Sequence, residues 1–158
     1  MNIKDDVPGY GYQIKKGATS LTESWQALET VSNNHLMLGH LMDWFYYSIA
    51  GIRQNEGSIA YKDILFQPDF IEEINYVNSF FYSPYGKIIS NWNKKDDKVS
   101  YHIVIPPNCT ATVKLNKKYI AKIMHINNRK HKNINDTKNY FIIKLGSGEY
   151  FIELVINK

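Results

Sequence analysis

Glu23, His35 and His40 are the side chains in the first part of the chain whose types could do chemistry. A carboxylate and two imidazoles are all common metal ligands. Their spacing matches neither His-Glu-x-x-His nor another helical metal motif, so no metal and no cofactor is expected. Ser20 stands three residues ahead of Glu23, the spacing of a capping box, and by spacing alone that structural role is the favoured one. His35, taken alone, reads as a helix N-terminal residue or a hydrogen-bonded core histidine. Cys109 is the single cysteine, with no histidine adjacent in sequence, and reads as inert packing rather than as a nucleophile. One cysteine also excludes an internal disulfide and a cysteine-based zinc framework. Asn108-Cys109-Thr110 fits a glycosylation acceptor by letter, yet after Pro106-Pro107 it reads as a turn.

The elements that would carry these residues change character along the chain. Leu38, Leu41, Met42, Phe45 and Ile49 recur at three and four, one face of a helix that Ser32, Asn33 or Asn34 could cap and Gly51 would stop. Leu36, Met37, Trp44, Tyr46 and Tyr47 spread the apolar surface nearly all round, so this helix must be buried in a larger helical assembly. A shorter helix is expected from Gly17 to Leu28, after a lead-in rich in Tyr and Gly, Pro8 to Tyr12.

Beyond Gly57 the period becomes two. Val99, Tyr101, Ile103 and Ile105 share one face of a strand, as do Ala111, Val113 and Leu115, and Tyr150, Ile152, Leu154 and Ile156. Further strands are expected at 64–66, 76–82, 87–92 and 140–145, separated by turns at Ser83 to Gly86, Lys94 to Asp97, Pro106 to Asn108 and Gly146 to Gly148. Seven short strands joined in this way predict an antiparallel β-sandwich over 58–158, with Asn127 to Asn139 as an excursion. Trp25, Trp44 and Trp92 read as core, and His102 as solvent-facing.

A chain of 158 residues that is 44% hydrophobic and 14% aromatic can bury a real core. The formal charge of +4 is uneven: residues 1–57 carry 4 Lys+Arg against 6 Asp+Glu, and the rest 15 against 9. The basic run from Lys114 to Lys132 is mostly Lys and Asn with few aromatics, which predicts a solvated loop and no nucleic-acid partner. No apolar stretch approaches the ~20 residues that cross a bilayer, so no membrane is expected. Residues 1–6 lack the basic-then-apolar pattern of an export signal, which leaves a cytoplasmic or periplasmic location open.

Seven stretches, in order, resemble the bacterial α-L-rhamnosidase family of glycoside hydrolases. They are Gly9-Tyr10-Gly11-Tyr12, Gly17-Ala18-Thr19-Ser20-Leu21-Thr22-Glu23-Ser24-Trp25, Asn34-His35-Leu36-Met37-Leu38-Gly39, Asp43-Trp44-Phe45-Tyr46, Ala50-Gly51-Ile52, Tyr82-Ser83-Pro84-Tyr85-Gly86-Lys87-Ile88, and Ile105 to Val113. The resemblance implies an α+β fold: the last helices of an α/α barrel of six hairpins in 1–57, then the C-terminal β-sandwich in 58–158. It implies inverting hydrolysis of terminal α-L-rhamnosyl residues, with a rhamnose-containing oligosaccharide or glycoside as substrate. Glu23 matches the family's general base and His35 matches a histidine that contacts bound rhamnose. Thr22 and Ser24 stand where Trp and Arg commonly flank the base, a departure that bears on the substrate. The family's general acid and most of its sugar contacts have no counterpart among these residues, so the chain alone is expected to be inactive. The alternatives are a carbohydrate-binding module without catalysis, and a module that complements a separately encoded N-terminal part of the barrel.

Overall fold

A computed structural model describes residues 5–7, 9–25, 30–130 and 134–157. The chain forms two compact units, Met1–Asp43 and Trp44–Lys158.

In the first unit, helix α1 spans Tyr10–Lys15. The helix stops where Gly17 adopts φ +81°, and Gly17 N–H and Ala18 N–H close onto the carbonyls of Ile14 and Gln13 at 2.9 and 3.0 Å. Glycine meets that left-handed conformation without a Cβ penalty. Tyr10 to Tyr12 of the lead-in expected before any helix are therefore helical themselves, and Pro8 lies outside the described residues. Conversely, the described part of the helix expected over Gly17 to Leu28 is irregular, and 26–29 lie outside the described residues. Ser20 Oγ donates to the carbonyl of Asn33, far along the chain, instead of capping, and Thr22 Oγ1 donates to the nearby carbonyl of Ser24 at 2.6 Å. Short hydroxyl side chains that bond to backbone in this way compete with the helix ladder.

The stretch expected as one helix from Leu36 to Ile49 is helical but not uniform. It runs as a 3₁₀ turn, Leu36–Gly39, then helix α2, His40–Trp44, then a π turn, Phe45–Ile49. Gly51 ends it with φ +68°, where a Cβ would fall 2.1 Å from Pro68 N and 2.4 Å from Gln67 C.

Among the described residues the second unit is a two-sheet β-sandwich of eleven strands: β1 (Ile52–Gln54), β2 (Asp63–Phe66), β3 (Tyr76–Val77), β4 (Phe80–Ser83), β5 (Gly86–Lys95), β6 (Lys98–Ile105), β7 (Thr110–Asn116), β8 (Ile120–Ile126), β9 (Asn135–Asp136), β10 (Tyr140–Leu145) and β11 (Gly148–Ile156). One sheet has the order β1-β2-β7-β10-β9, the other β3-β5-β6-β11-β8 with β4 also on β5. All pairings are antiparallel except β2 with β7. The strand expected over 76–82 is broken at Asn78–Ser79, where the Asn91 side chain accepts from Ser79 N–H at 2.8 Å in place of a ladder bond. β1 lies ahead of position 57, where the hydrophobic period changes.

The predicted inward faces are the core: Val99, Tyr101, Ile103, Ile105, Ala111, Val113, Leu115, Ile152 and Leu154 are all buried, with Trp92 and Phe66 among the largest. Tyr101 is fully enclosed; its hydroxyl lies 3.0 Å from Ser90 Oγ, which donates to the Ala50 carbonyl at 2.5 Å, and Trp92 Nε1 donates to the Ile49 carbonyl at 2.9 Å. Burial pushes the Tyr101 phenol pKa far up. These bonds pin residues 49–51 to the sandwich, and every one of them satisfies a buried polar group.

Three sequence expectations need correction. The basic run is strand rather than loop over most of its described length: Lys114 is on β7 and Lys122 on β8. Lys114 and Lys117 sit 4.3 and 4.7 Å over the rings of Tyr140 and Phe141, and Lys117 pairs with Asp136. Their stems lie along apolar surface while the ammonium groups reach solvent. Trp44 is 41% exposed and not core, whereas Trp92 is buried and Trp25 is partly covered. His102 faces outward but is half-buried, because Glu149 binds its ring and Phe151 stacks on it.

Candidate active site

The residues singled out in the first part of the chain all lie in the 1–43 unit, and α1 organises them. Tyr10 and Gln13 are three apart, hence on one face of α1. The Gln13 side chain is buried, and its Nε2 donates to Thr22 Oγ1 at 2.6 Å and towards the Ser24 carbonyl at 3.4 Å. Thr22, also buried, closes the triangle through its own bond to Ser24. The backbone is thus clamped on both sides of Glu23. Tyr10 packs edge-on against Trp25 with centroids 5.4 Å apart, and its hydroxyl donates to the Leu38 carbonyl at 2.7 Å.

Glu23 and His35 are brought together through backbone. Residues 21–23 lie antiparallel to 32–35: Glu23 N–H donates to the Ser32 carbonyl at 2.8 Å and His35 N–H to the Leu21 carbonyl at 2.7 Å. Ser32 N–H also donates to Glu23 Oε2 at 3.2 Å, which fixes the carboxylate while leaving it exposed. Glu23 is therefore not the back-bonding member of a capping box. His35 is half-buried and leads into the 3₁₀ turn, its carbonyl accepting from Leu38 N–H at 3.3 Å. His40 is set apart in role, with Nδ1 bound to the Met37 carbonyl at 3.0 Å. Among the described residues no group of three His, Cys, Asp or Glu could hold a metal ion.

Such an arrangement offers an exposed carboxylate held by one backbone N–H, with an imidazole one hydrogen-bonded crossing away. That is a geometry for taking a proton from water beside a polar ligand. Sequence reasoning reached Glu23 and His35 through the resemblance, and missed Gln13 and Thr22. A buried amide breaks no hydrophobic period, so nothing in the pattern marks it.

Cys109, in the other unit, is buried at the mouth of β7; burial pushes its thiol pKa up, opposed by the Lys62 charge. A thiol so placed is a poor nucleophile. Asn108 adopts φ +60° in the turn expected there.

Comparison with known proteins decides the family. Residues 51–130 match the bacterial alpha-L-rhamnosidase C-terminal domain, and residues 1–49 match the bacterial alpha-L-rhamnosidase 6 hairpin glycosidase domain. The chain belongs to the bacterial α-L-rhamnosidase family. An alpha-L-rhamnosidase of Formosa agariphila is 29% identical over 157 residues, covering 93% of this chain and 16% of that protein. One from Streptomyces avermitilis is 28% identical over 127 residues, covering 75% of this chain and 12% of its own length. Among solved structures, the alpha-L-rhamnosidase of Dictyoglumus thermophilum superposes with a TM-score of 0.74 at 29% identity, covering 96% of this chain and 18% of that one. The Streptomyces avermitilis alpha-L-rhamnosidase complexed with L-rhamnose gives 0.71 at 23% identity, a likeness of fold. The chain therefore spans about an eighth to a sixth of the length of these curated relatives, and matches the C-terminal domain and part of the six-hairpin domain of the family.

Proposed function

We propose that this chain carries the base side of an inverting α-L-rhamnosidase centre. Glu23, ionised, takes the proton from a water that attacks the anomeric carbon of a terminal α-L-rhamnosyl residue on the face opposite the leaving oxygen. A second carboxyl group protonates that oxygen, and inversion requires the two roughly 6.5–9.5 Å apart so that the water fits between them. His35 contacts a hydroxyl of the bound rhamnose. The observation that supports this reading is the pairing of 21–23 with 32–35, which ties the segments of the two family-matched residues to each other and leaves the carboxylate exposed.

The chain by itself is inactive in this reading. Inversion takes two carboxyl groups, and only Glu23 matches one of them. A six-hairpin barrel takes about twelve helices by its architecture, whereas the described residues of the part matched to it hold α1 and the helical run from Leu36. Incubation of the purified chain with an aryl α-L-rhamnoside is expected to release no phenol. Turnover that disappears in Glu23→Gln would contradict the inactivity and leave the base assignment standing.

The exposed side chains of Leu36 (78%), Met37 (68%) and Met42 (58%) favour a second reading, that this surface is a docking face for the rest of a six-hairpin barrel. Exposed apolar surface of that kind drives association. Size-exclusion chromatography is expected to show dimers or larger species, and a monodisperse monomer counts against it.

A further inference from the structure

We propose that the outer face of the β6-β11-β8 sheet holds a neutral pyranose ring on Phe151, at a site separate from Glu23 and independent of its catalytic reading. Phe151 lies on β11, which has a neighbour on both sides, and yet its ring is 55% exposed. His102 covers one face of that ring, with centroids 4.6 Å apart and planes 6° from parallel. Beside it lies a shallow, open depression lined by Phe151, Glu149, Asn127 and Asn128, and not by His102.

Three of the four lining residues, Asn127, Glu149 and Phe151, are tied before any ligand arrives. Asn127 N–H donates to the Phe151 carbonyl and Phe151 N–H to Asn127 Oδ1, both at 2.8 Å. Asn127 and Asn128 adopt φ +50° and +59°, a left-handed turn that asparagine tolerates and that holds the Asn128 amide at its tip. Glu149 Oε1 accepts from His102 Nε2 at 2.8 Å, which orients the carboxylate and leaves Oε2 as an acceptor. Walls ordered in advance reduce the entropy cost of binding.

The ligand chemistry follows from this composition. A flat apolar ring suits the C–H face of a sugar, a carboxylate accepts from hydroxyl groups, and an amide both donates and accepts. The same carboxylate disfavours an anionic ligand by like-charge repulsion. A neutral pyranose satisfies all three groups at once, whereas a purely apolar ligand would leave Glu149 and Asn128 unpaired.

Titration of the ¹⁵N-labelled full chain with methyl α-L-rhamnopyranoside, methyl β-D-glucopyranoside and sodium D-glucuronate, followed by amide shifts, tests the site. At least one of the neutral glycosides is expected to shift the amides of Asn127, Asn128, Glu149 and Phe151 saturably, with a Kd on the order of millimolar. Glucuronate is expected to bind at least about tenfold more weakly, as is the neutral glycoside to Phe151→Ala, while Phe80→Ala, at an exposed aromatic on β4, leaves binding unchanged. Asn128→Ala, at an exposed turn tip, is expected to weaken binding several-fold with the spectrum otherwise preserved. The proposal is overturned if neither neutral glycoside shifts these amides saturably, if glucuronate binds as well, or if Phe151→Ala binds unchanged. The readout involves no turnover, so its outcome is separate from that of Glu23.

Discussion

The two units are held together by different means. Among the described residues, every buried apolar side chain lies in the 44–158 unit, from Ile49 to Leu154. In the 1–43 unit the buried side chains are polar, Gln13 and Thr22. Burial of apolar surface, at roughly 25 cal/mol per Å², is what repays chain entropy in a small domain. The sandwich has that source of stability within itself. The unit with Glu23 is ordered by hydrogen bonds, each worth about 1 kcal/mol net, and its apolar residues Leu36 and Met37 face outward. The lesson is that the sandwich carries an apolar core of its own, while the described part of the other unit leaves Leu36, Met37 and Met42 exposed.

The comparison breaks most readily in the sandwich. Gly51→Ala forces a Cβ into the backbone of Gln67 and Pro68, and Trp92→Ala empties the centre of the core and orphans the Ile49 carbonyl. Each is expected to cost about 3–5 kcal/mol in urea unfolding followed by tryptophan fluorescence or circular dichroism. A loss below about 1 kcal/mol for Trp92→Ala would mean that the core is not where the stability lies.

Next in size is Gln13→Leu, which removes the buried donor of the clamp around Glu23. An expected loss of about 1–3 kcal/mol is local, read as faster hydrogen exchange at the amides of Glu23 and His35 with the β6 and β11 amides unchanged. Equal acceleration in both units would show that they unfold together.

Tyr101→Phe removes one hydroxyl from the Ser90 network and is expected to cost about 1 kcal/mol at neutral pH. Its pH dependence has a definite sign. Burial raises the phenol pKa of the folded chain, so above pH ~10 the unfolded chain loses a proton that the folded chain keeps. Stability is therefore full below pH ~10 and falls as the pH rises beyond it, and this alkaline component disappears in Tyr101→Phe. Smallest of all is Leu36→Ala on the exposed helical surface, expected to change the chain's own stability by less than about 0.5 kcal/mol.

What the sequence made legible follows the same division. β6, β7 and the middle of β11 alternate because one face of each is core, and the turn before β7 carries Asn108 at positive φ. β8 was hidden because its pairing with β11 shifts register twice, which destroys a period of two in Ile120 to Ile126. β1 and β9, with three and two residues, are too short to show any period. In the helical unit, Gly11 disguised α1, since glycine is a poor helix former, while Ser20 and Thr22 diverted a segment that looked helical. The roles expected of Glu23 and His35 rest on the resemblance, and the pairing of their segments leaves no trace in the sequence, because it is a backbone crossing that no spacing rule encodes. Gln13 left no signal.

The most direct test of Glu23 as the base replaces the matching C-terminal part of the Dictyoglumus thermophilum alpha-L-rhamnosidase with residues 1–158 and follows an aryl α-L-rhamnoside by ¹H NMR. The account predicts that rhamnose is first released with inverted anomeric configuration, and that Glu23→Gln in the chimera lowers kcat by about 10²–10⁴ with little change in KM. Release with retained configuration, or an unchanged kcat in Glu23→Gln, would contradict it.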